Sequence, residues 1–188
     1  MGIIVSVTGV TGAGKTTLVK EVLTRMENSS MVESVTTRPR RPSDIKGEYR
    51  YVSLELFEQL EKTNSFLWTA EHAGTHYGTM GESIVRIIER DNAVGFMILV
   101  PQVLERLRAF LSALSAVNAH IPIFLVTPPD EVLGYRIAER GDNIENIRKR
   151  FKESAQWEYD ARKSTTPFHF IGNNRPIEEN VRDVFTLF

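Results

Sequence analysis

The sequence predicts a single α/β domain in which a mostly parallel β-sheet lies between helices, with a smaller unit inserted into it. Three observations predict this class. Short β-branched runs alternate with helical patterns along the chain, the order that builds parallel sheets. The main strand-like runs are almost continuously apolar, as in strands covered on both faces. The first of them leads straight into the glycine-rich segment GVTGAGKT at positions 9–16.

Taken in order, residues 3–8 (IIVSVT) read as the first strand, and residues 16–27 as a helix with Leu18, Val22 and Leu23 on one face. Further buried strands are expected at 94–100, 121–126 and 168–171. Helices are expected at 103–114, 130–140, 143–162 and 176–188, the second of these started by Pro128-Pro129 ahead of Asp130. Between positions 33 and 90 the character changes to short alternating strands at 49–53, 66–72 and 75–79, punctuated by Gly47, Gly74 and Gly78. The expected organisation is one domain over 1–188. Residues 1–32 and 91–188 form the core, with an Arg-rich lid at about 136–150, and residues 33–90 form an inserted lobe.

A chain of 188 residues with 41% apolar and 25% charged residues suffices for one well-buried domain. It has no cysteine, which excludes disulfides, thiolate metal sites and cysteine nucleophiles. A net charge of −1 gives the whole molecule no pull toward nucleic acid or acidic membranes. The N-terminal MGIIVSV lacks a basic region and a small-residue cleavage site, so it reads as a strand. The longest other apolar stretch, 94–100, is too short to span a bilayer. A cytoplasmic protein with no nucleic-acid or membrane partner is expected, and monomer and homodimer stay open.

The strongest chemical signal is Gly9-Val-Thr-Gly-Ala-Gly-Lys15-Thr16, a complete G-x-x-x-x-G-K-[ST] placed between a strand and a helix. Its glycines allow backbone N–H groups over Gly12, Ala13, Gly14, Lys15, Thr16 and Thr17 to converge on phosphate, aided by the helix N-terminus. Lys15 reaches the β- and γ-phosphates and the Thr16 hydroxyl ligates Mg²⁺. The fold is therefore expected to be P-loop NTPase-type, with ATP and Mg²⁺ as cofactors.

A second constellation lies in the inserted lobe: Arg38 and Arg41 in SVTTRPRRP, then Tyr49 and Tyr77. Two arginines and two tyrosines can surround one phosphate, the arginines as planar bidentate donors and the tyrosines as neutral ones. A solvated basic loop is the plainer alternative for this run. A third group is Arg136, Arg140, Arg148 and Arg150; the first two lie four apart on one helix face, ahead of Gly141. Such arginines can offset the charge of a transferring phosphoryl group, or merely pair with Glu139 and Glu145 on a surface helix.

Together these segments resemble the guanylate kinase family over nearly the whole chain and in the same order. The matching stretches are 9–17, SVTTRPRRP at 34–42, GEYRYVS at 47–53, FLWTAEHAGTHYGT at 66–79, TPPDEVLGYRIAERG at 127–141 and FIGNN at 170–174. The resemblance implies that the small lobe holds an acceptor nucleotide, with Ser34, Arg38, Arg41, Tyr49, Tyr77 and Thr79 on acceptor-binding positions. It places Arg136, Arg140 and Arg150 among the lid arginines that act in transfer, alongside Lys15. The spacing before Arg150 is one residue short, so Arg148 stays a rival. Asn173 falls where the family contacts the donor adenine.

Two departures stand out. The family carries Phe-x-Glu on its base-reading strand, where this chain has Phe66-Leu-Trp68. Its central strand carries Asp-x-Asp, where this chain has Ile98 and Val100. Both remove anionic acceptors from one pocket, so altered base specificity is expected, with Trp68 at the base-reading place. The implied reaction is ATP-dependent phosphorylation of a nucleoside monophosphate. Two other readings fit parts of the pattern: a ribose bisphosphokinase-like enzyme acting on a base-less phosphate ester, and a catalytically inactive binding module of the same fold.

Overall fold

The computed structural model describes residues 1–72, 74–138 and 156–188. Two sheets organise these residues. The larger has five parallel strands in the order β2-β7-β1-β8-β9, comprising β1 (Ile3–Thr8), β2 (Ser29–Met31), β7 (Val94–Ile98), β8 (His120–Leu125) and β9 (His169–Ile171). β1 is the middle strand, which is why IIVSVT carries almost no surface polarity. Successive side chains of a strand point to opposite faces, and β1 divides accordingly. Val5 and Val7 join one core with Leu18, Val19 and Val22 of α1 (Lys15–Leu23). Ile4 joins the other, with Ile84 and Ile87 of α3 (Gly81–Ile88) and Leu104, Leu107 and Leu111 of α4 (Leu104–Ala113).

The smaller sheet has four strands in the order β4-β3-β6-β5, comprising β3 (Ser34–Thr36), β4 (Tyr49–Tyr51), β5 (Trp68–His72) and β6 (Thr75–Thr79). β3 pairs with β4 in parallel and with β6 antiparallel, and β5 pairs with β6 antiparallel. Helix α2 (Leu54–Lys62) follows β4, its first turn capped by the Ser53 hydroxyl, which accepts from the Leu56 N–H. Phe57 of α2 stacks on Phe66 with ring centroids 4.7 Å apart. Phe66 in turn requires a glycine opposite it: a Cβ on Gly78 would stand 2.6 Å from its ring. The remaining helices are α5 (Asp130–Ala138), α6 (Trp157–Lys163) and α7 (Ile177–Phe185).

Three features differ from the sequence expectations. Strands β2 and β3 and helices α2 and α3 were not anticipated, while the C-terminal ends of the helices expected at 16–27 and 176–188 stop short, at Leu23 and Phe185. The helix expected from 103 begins with a 3₁₀ turn, Pro101–Val103. Within the expected insertion 33–90, α3 packs on β1 and β7 of the large sheet, because Ile84, Ile87 and Ile88 form one apolar face that the large sheet covers. The expected helices 130–140 and 143–162 fall partly outside the described residues. No helix among the described residues is long and apolar enough to cross a membrane.

At the far end of the large sheet, His120 is enclosed at the start of β8. Its Nε2 lies 2.8 Å from the Ser6 hydroxyl, and its Nδ1 is buried without a hydrogen-bond partner among the described residues. Burial, with the nearby positive charge of Arg108, pushes its pKa down to about 4. An unfolded chain takes up that proton near pH 6.5, so between these values the unfolded state binds more protons. The stability owed to a neutral His120 is complete above about pH 6.5 and is lost toward pH 4, a loss of at most about 3 kcal/mol. Chemical denaturation at pH 7 and 4.5 should therefore show a smaller acid loss in His120→Gln than in the wild type. An equal loss would show that the buried imidazole does not set the acid limb.

Candidate functional site

The loop between β1 and α1 sits at the carboxyl edge of the large sheet, the usual place for ligands in open α/β folds. Gly9, Gly12 and Gly14 all have positive φ (142°, 83° and 90°). Gly9 also passes so close to β8 that a Cβ would stand 2.6 Å from the Leu125 carbonyl oxygen. The loop is thus held open by residues that only glycine satisfies. The Lys15 ammonium donates to the carbonyls of Gly9 and Val10 at 2.7 and 2.9 Å, folded across the loop it follows. Asn173 is buried against the same loop, its Nδ2 donating to the Ala13 carbonyl. Arg136 of α5 donates from Nη2 to the Asn173 carbonyl at 3.4 Å. A Cβ placed on Gly14 would lie 3.7 Å from Asn173 Oδ1 and 3.8 Å from Arg136 Nη1. Lys15, Asn173 and Arg136, far apart in sequence, therefore surround one loop. Thr16 and Thr17 begin α1 beside it, Thr16 half-buried and Thr17 exposed. Arg140, Arg148 and Arg150 lie outside the described residues.

Facing this loop is a cavity of about 160 Å³. One wall is a single face of the small sheet. The register pairs Ser34 with Tyr49, Trp68 with Thr79 and Ala70 with Tyr77, so these six side chains share a face. All six line the cavity. Thr11 and Lys15 line it from the glycine loop, and Ile98, Leu99 and Val100 from the end of β7. Trp68 does two things at once: it is 4% exposed and packs into the large-sheet core with Ile4 and Met97, while its remaining surface forms cavity wall. The Ser34 and Thr79 hydroxyls share a hydrogen bond of 3.0 Å.

The two arginines behave differently. Arg38 is 8% exposed and stands 5.1 Å over the Tyr49 ring, with Nη2 paired to Asp44 Oδ1 at 2.7 Å. Arg41 is exposed, and its backbone N–H donates to Asp44 Oδ2 at 2.6 Å; neither arginine lines the cavity, which Arg38 approaches through the Tyr49 ring. Tyr51 also donates to Asp44 Oδ2, at 2.7 Å. One carboxylate thus ties Arg38, the Arg41 backbone and Tyr51 together. Burial alone would raise its pKa, but the Arg38, Arg41 and Tyr51 hydrogen bonds outweigh it and hold Asp44 below the usual carboxylate range. Asp44 is therefore ionised throughout the neutral range, and Arg38 stays charged beside it. Burial and the Glu48 carboxylate push the Tyr49 phenol up, and burial and Asp44 push Tyr51 up to about 12. Both stay protonated at neutral pH. Tyr49, at the cavity wall, donates a hydrogen bond from its hydroxyl to the Glu48 carboxylate.

Sequence reasoning missed Asp44, Tyr51, Ala70, Val103 and Trp157. Asp44 gave a local signal, three residues past Arg41 in a turn. Trp157 gave none, because only the packing of α6 brings it to a cavity built around β5 and β7. Among the described residues no group of three His, Cys, Asp or Glu side chains is placed to hold a metal.

The guanylate kinase family model matches residues 2–188. The chain belongs to the guanylate kinase family. It is similar to guanylate kinases from Thermus thermophilus (34% identical over 182 residues, 96% of this chain and 77% of the relative) and Nostoc sp. (34% over 157 residues, 82% and 75%). Its backbone follows that of a guanylate kinase from Anaplasma phagocytophilum with a TM-score of 0.67, covering 99% of this chain and 84% of that one at 20% identity. A guanylate kinase-family chain uses ATP with Mg²⁺. The donor side fits a nucleotide triphosphate, since it presents a positive-φ glycine loop at a helix N-terminus, a lysine folded onto the loop and Arg136 beside it. For Mg²⁺ the protein offers the Thr16 hydroxyl; Ile98 and Val100, which the resemblance sets against the family's aspartates, offer no oxygen from their side chains.

Asp44 acts through Arg38 and outside the donor loop. Asp44→Ala and Arg38→Ala are each expected to raise the acceptor KM at least about tenfold, the scale of one charge-assisted hydrogen bond, with ATP affinity within a few-fold. Calorimetry that shows ATP binding lost and acceptor binding kept would reverse the assignment of the two sides.

Proposed function

We propose that the protein transfers the γ-phosphoryl group of ATP to a nucleoside monophosphate, giving ADP and a nucleoside diphosphate, with base selection that departs from guanine. The observation that supports this most is the shared cavity, with Lys15 and Thr11 on one side and Ser34, Tyr49, Tyr77 and Thr79 on the other. Phosphoryl transfer needs little covalent work from the protein; position and charge carry it. In this reading the backbone of 12–17 and Lys15 hold the donor phosphates, and Asn173, packed on the loop, borders the donor base. Arg38, oriented by Asp44 and Tyr49, and the Tyr49 and Tyr77 hydroxyls hold the acceptor phosphate, with Arg41 entering from the exposed turn. Arg136, joined by Arg140 and Arg150, offsets charge that builds on the transferring group. The Thr16 hydroxyl would hold Mg²⁺, which would supply positive charge against the donor phosphates.

The selectivity part rests on Trp68. Trp offers one N–H donor and an apolar face, with no acceptor for the N1 and N2 protons of guanine. Leaving such donors unpaired costs about 1–3 kcal/mol each. A preference for GMP should accordingly fall far below the ~10⁴ that a hydrogen-bonding site reaches, and Trp68→Glu should raise it. An ADP-release assay with ATP, Mg²⁺, all common (d)NMPs and ribose 1,5-bisphosphate tests the reading. Phosphorylation of one or more nucleotides without strong GMP selectivity is expected. Strong wild-type GMP selectivity would overturn the selectivity part. Turnover on ribose 1,5-bisphosphate alone, or on no acceptor, would overturn the nucleotide-kinase reading.

A further inference from the structure

The cavity has a second aromatic wall that the acceptor set above leaves unexplained. Trp157 opens α6, directly after the segment that carries Arg140 and Arg150, and is 9% exposed. It is packed with Phe124 of β8 and Ala161, against the half-buried Val100. Like Trp68, it lines the cavity. The protein has two tryptophans, and both line this one cavity from different layers of the molecule, Trp68 from the small sheet and Trp157 from a helix of the large one.

The rest of the lining divides into the hydroxyl-bearing Thr11, Ser34, Tyr49, Tyr77 and Thr79 and an apolar part. Ala70, Ile98, Leu99, Val100 and Val103 complete this part of the wall. Among the described residues, the one charged side chain on the lining is Lys15, on the donor loop, and no carboxylate joins it there. Of the lining hydroxyls, those of Ser34 and Thr79 are bonded to each other. A polar base edge buried here would forfeit its hydrogen bonds to water, whereas a methyl group or a ring face would gain apolar contact. Aromatic side chains hold bases by stacking, which any base ring satisfies, so discrimination passes to how polar the edge is.

We propose that Trp157 is an acceptor-binding residue. With Trp68 it forms an apolar clamp that selects a nucleoside monophosphate with a weakly polar, methyl-bearing base, thymine among the common ones, over guanine. This rests on the reading that the cavity receives the acceptor, and it adds which chemistry is chosen and by which residue.

Intrinsic fluorescence isolates the two walls. Trp68→Phe leaves Trp157 as the sole tryptophan, and Trp157→Phe leaves Trp68. With a non-hydrolysable ATP analogue bound, titration with dTMP should change the emission of both variants saturably, and GMP should do so only at much higher concentration. In steady-state kinetics Trp157→Ala should raise the KM for dTMP about five- to a hundredfold, the range for loss of one stacking side chain, with the KM for ATP within about threefold. A Trp157 emission in Trp68→Phe that ignores dTMP, while the Trp68 emission in Trp157→Phe responds, would overturn the clamp. So would GMP saturating at lower concentration than dTMP. These fluorescence readings decide the matter even where Trp157→Ala folds poorly. If no nucleotide changes either emission and none is phosphorylated, it is the acceptor-site reading that fails, not the clamp alone.

Discussion

Lys15→Ala is expected to lower kcat at least about a hundredfold, the lower range for removing one preorganised donor from a phosphoryl or acyl transfer site. The geometry explains why the loss should be large and fall mainly on turnover. The loop itself does not depend on the lysine, since its course is fixed by the positive-φ glycines and by the close pass of Gly9 under β8. What the lysine adds is a cation held 2.7 and 2.9 Å from the Gly9 and Val10 carbonyls, over the loop where the donor phosphates are placed. Its charge interacts most with the state in which charge moves between phosphoryl oxygens, so the alanine variant should still bind ATP, more weakly, while transferring it poorly. Single-turnover kinetics with saturating ATP separate the two effects. A turnover within tenfold of wild type would show that the loop is not the donor site.

Thr16→Ala is expected to abolish turnover almost completely, and the wild type to depend unusually steeply on free Mg²⁺. The reason is the scarcity of protein oxygen near the donor loop. Ile98 and Val100 border the cavity with apolar side chains, and among the described residues no acidic cluster stands near to hold a metal. Mg²⁺ tolerates a site with one or two protein ligands because it keeps several waters and takes phosphate oxygens. A single hydroxyl then carries the whole protein share. Thr16→Ser, which keeps that hydroxyl, should restore most of the activity. The check is kcat against free Mg²⁺ for wild type, Thr16→Ala and Thr16→Ser. Activity of Thr16→Ala at low free Mg²⁺ would show that the Thr16 hydroxyl is not the ion's protein ligand; Glu71, one residue past Ala70 on β5, faces away from the cavity and is no substitute.

The donor loop was legible because its chemistry is local. Eight consecutive residues set the turn, place the lysine and start the helix, so spacing alone predicts the geometry found at 9–16. The buried strands were legible for a related reason: a strand covered on both faces has to be apolar throughout, and β1, β7 and β8 are. Strands β2 and β3 are three residues each, too short for any period to show, and exist because neighbouring strands offer them partners. Asp44 lies in a turn three residues past Arg41, but that the same carboxylate also holds Arg38 shows only in the folded chain.

By itself the sequence showed the α/β class and the phosphate loop, while Ser34, Tyr49, Trp68, Tyr77 and Thr79 were expected in one site from the family resemblance and are put on one face by the pairing of β3, β4, β5 and β6. Only the tertiary structure decided that Arg38 is buried and fixed by Asp44 while Arg41 is exposed, that Trp68 is both core and cavity wall, and that Trp157 reaches the same cavity. Side-chain alternation and loop geometry are properties of a few adjacent residues, which a sequence displays directly. Whether a side chain is buried, paired or facing a cavity depends on what the rest of the chain packs against it, and that is settled only when the elements meet.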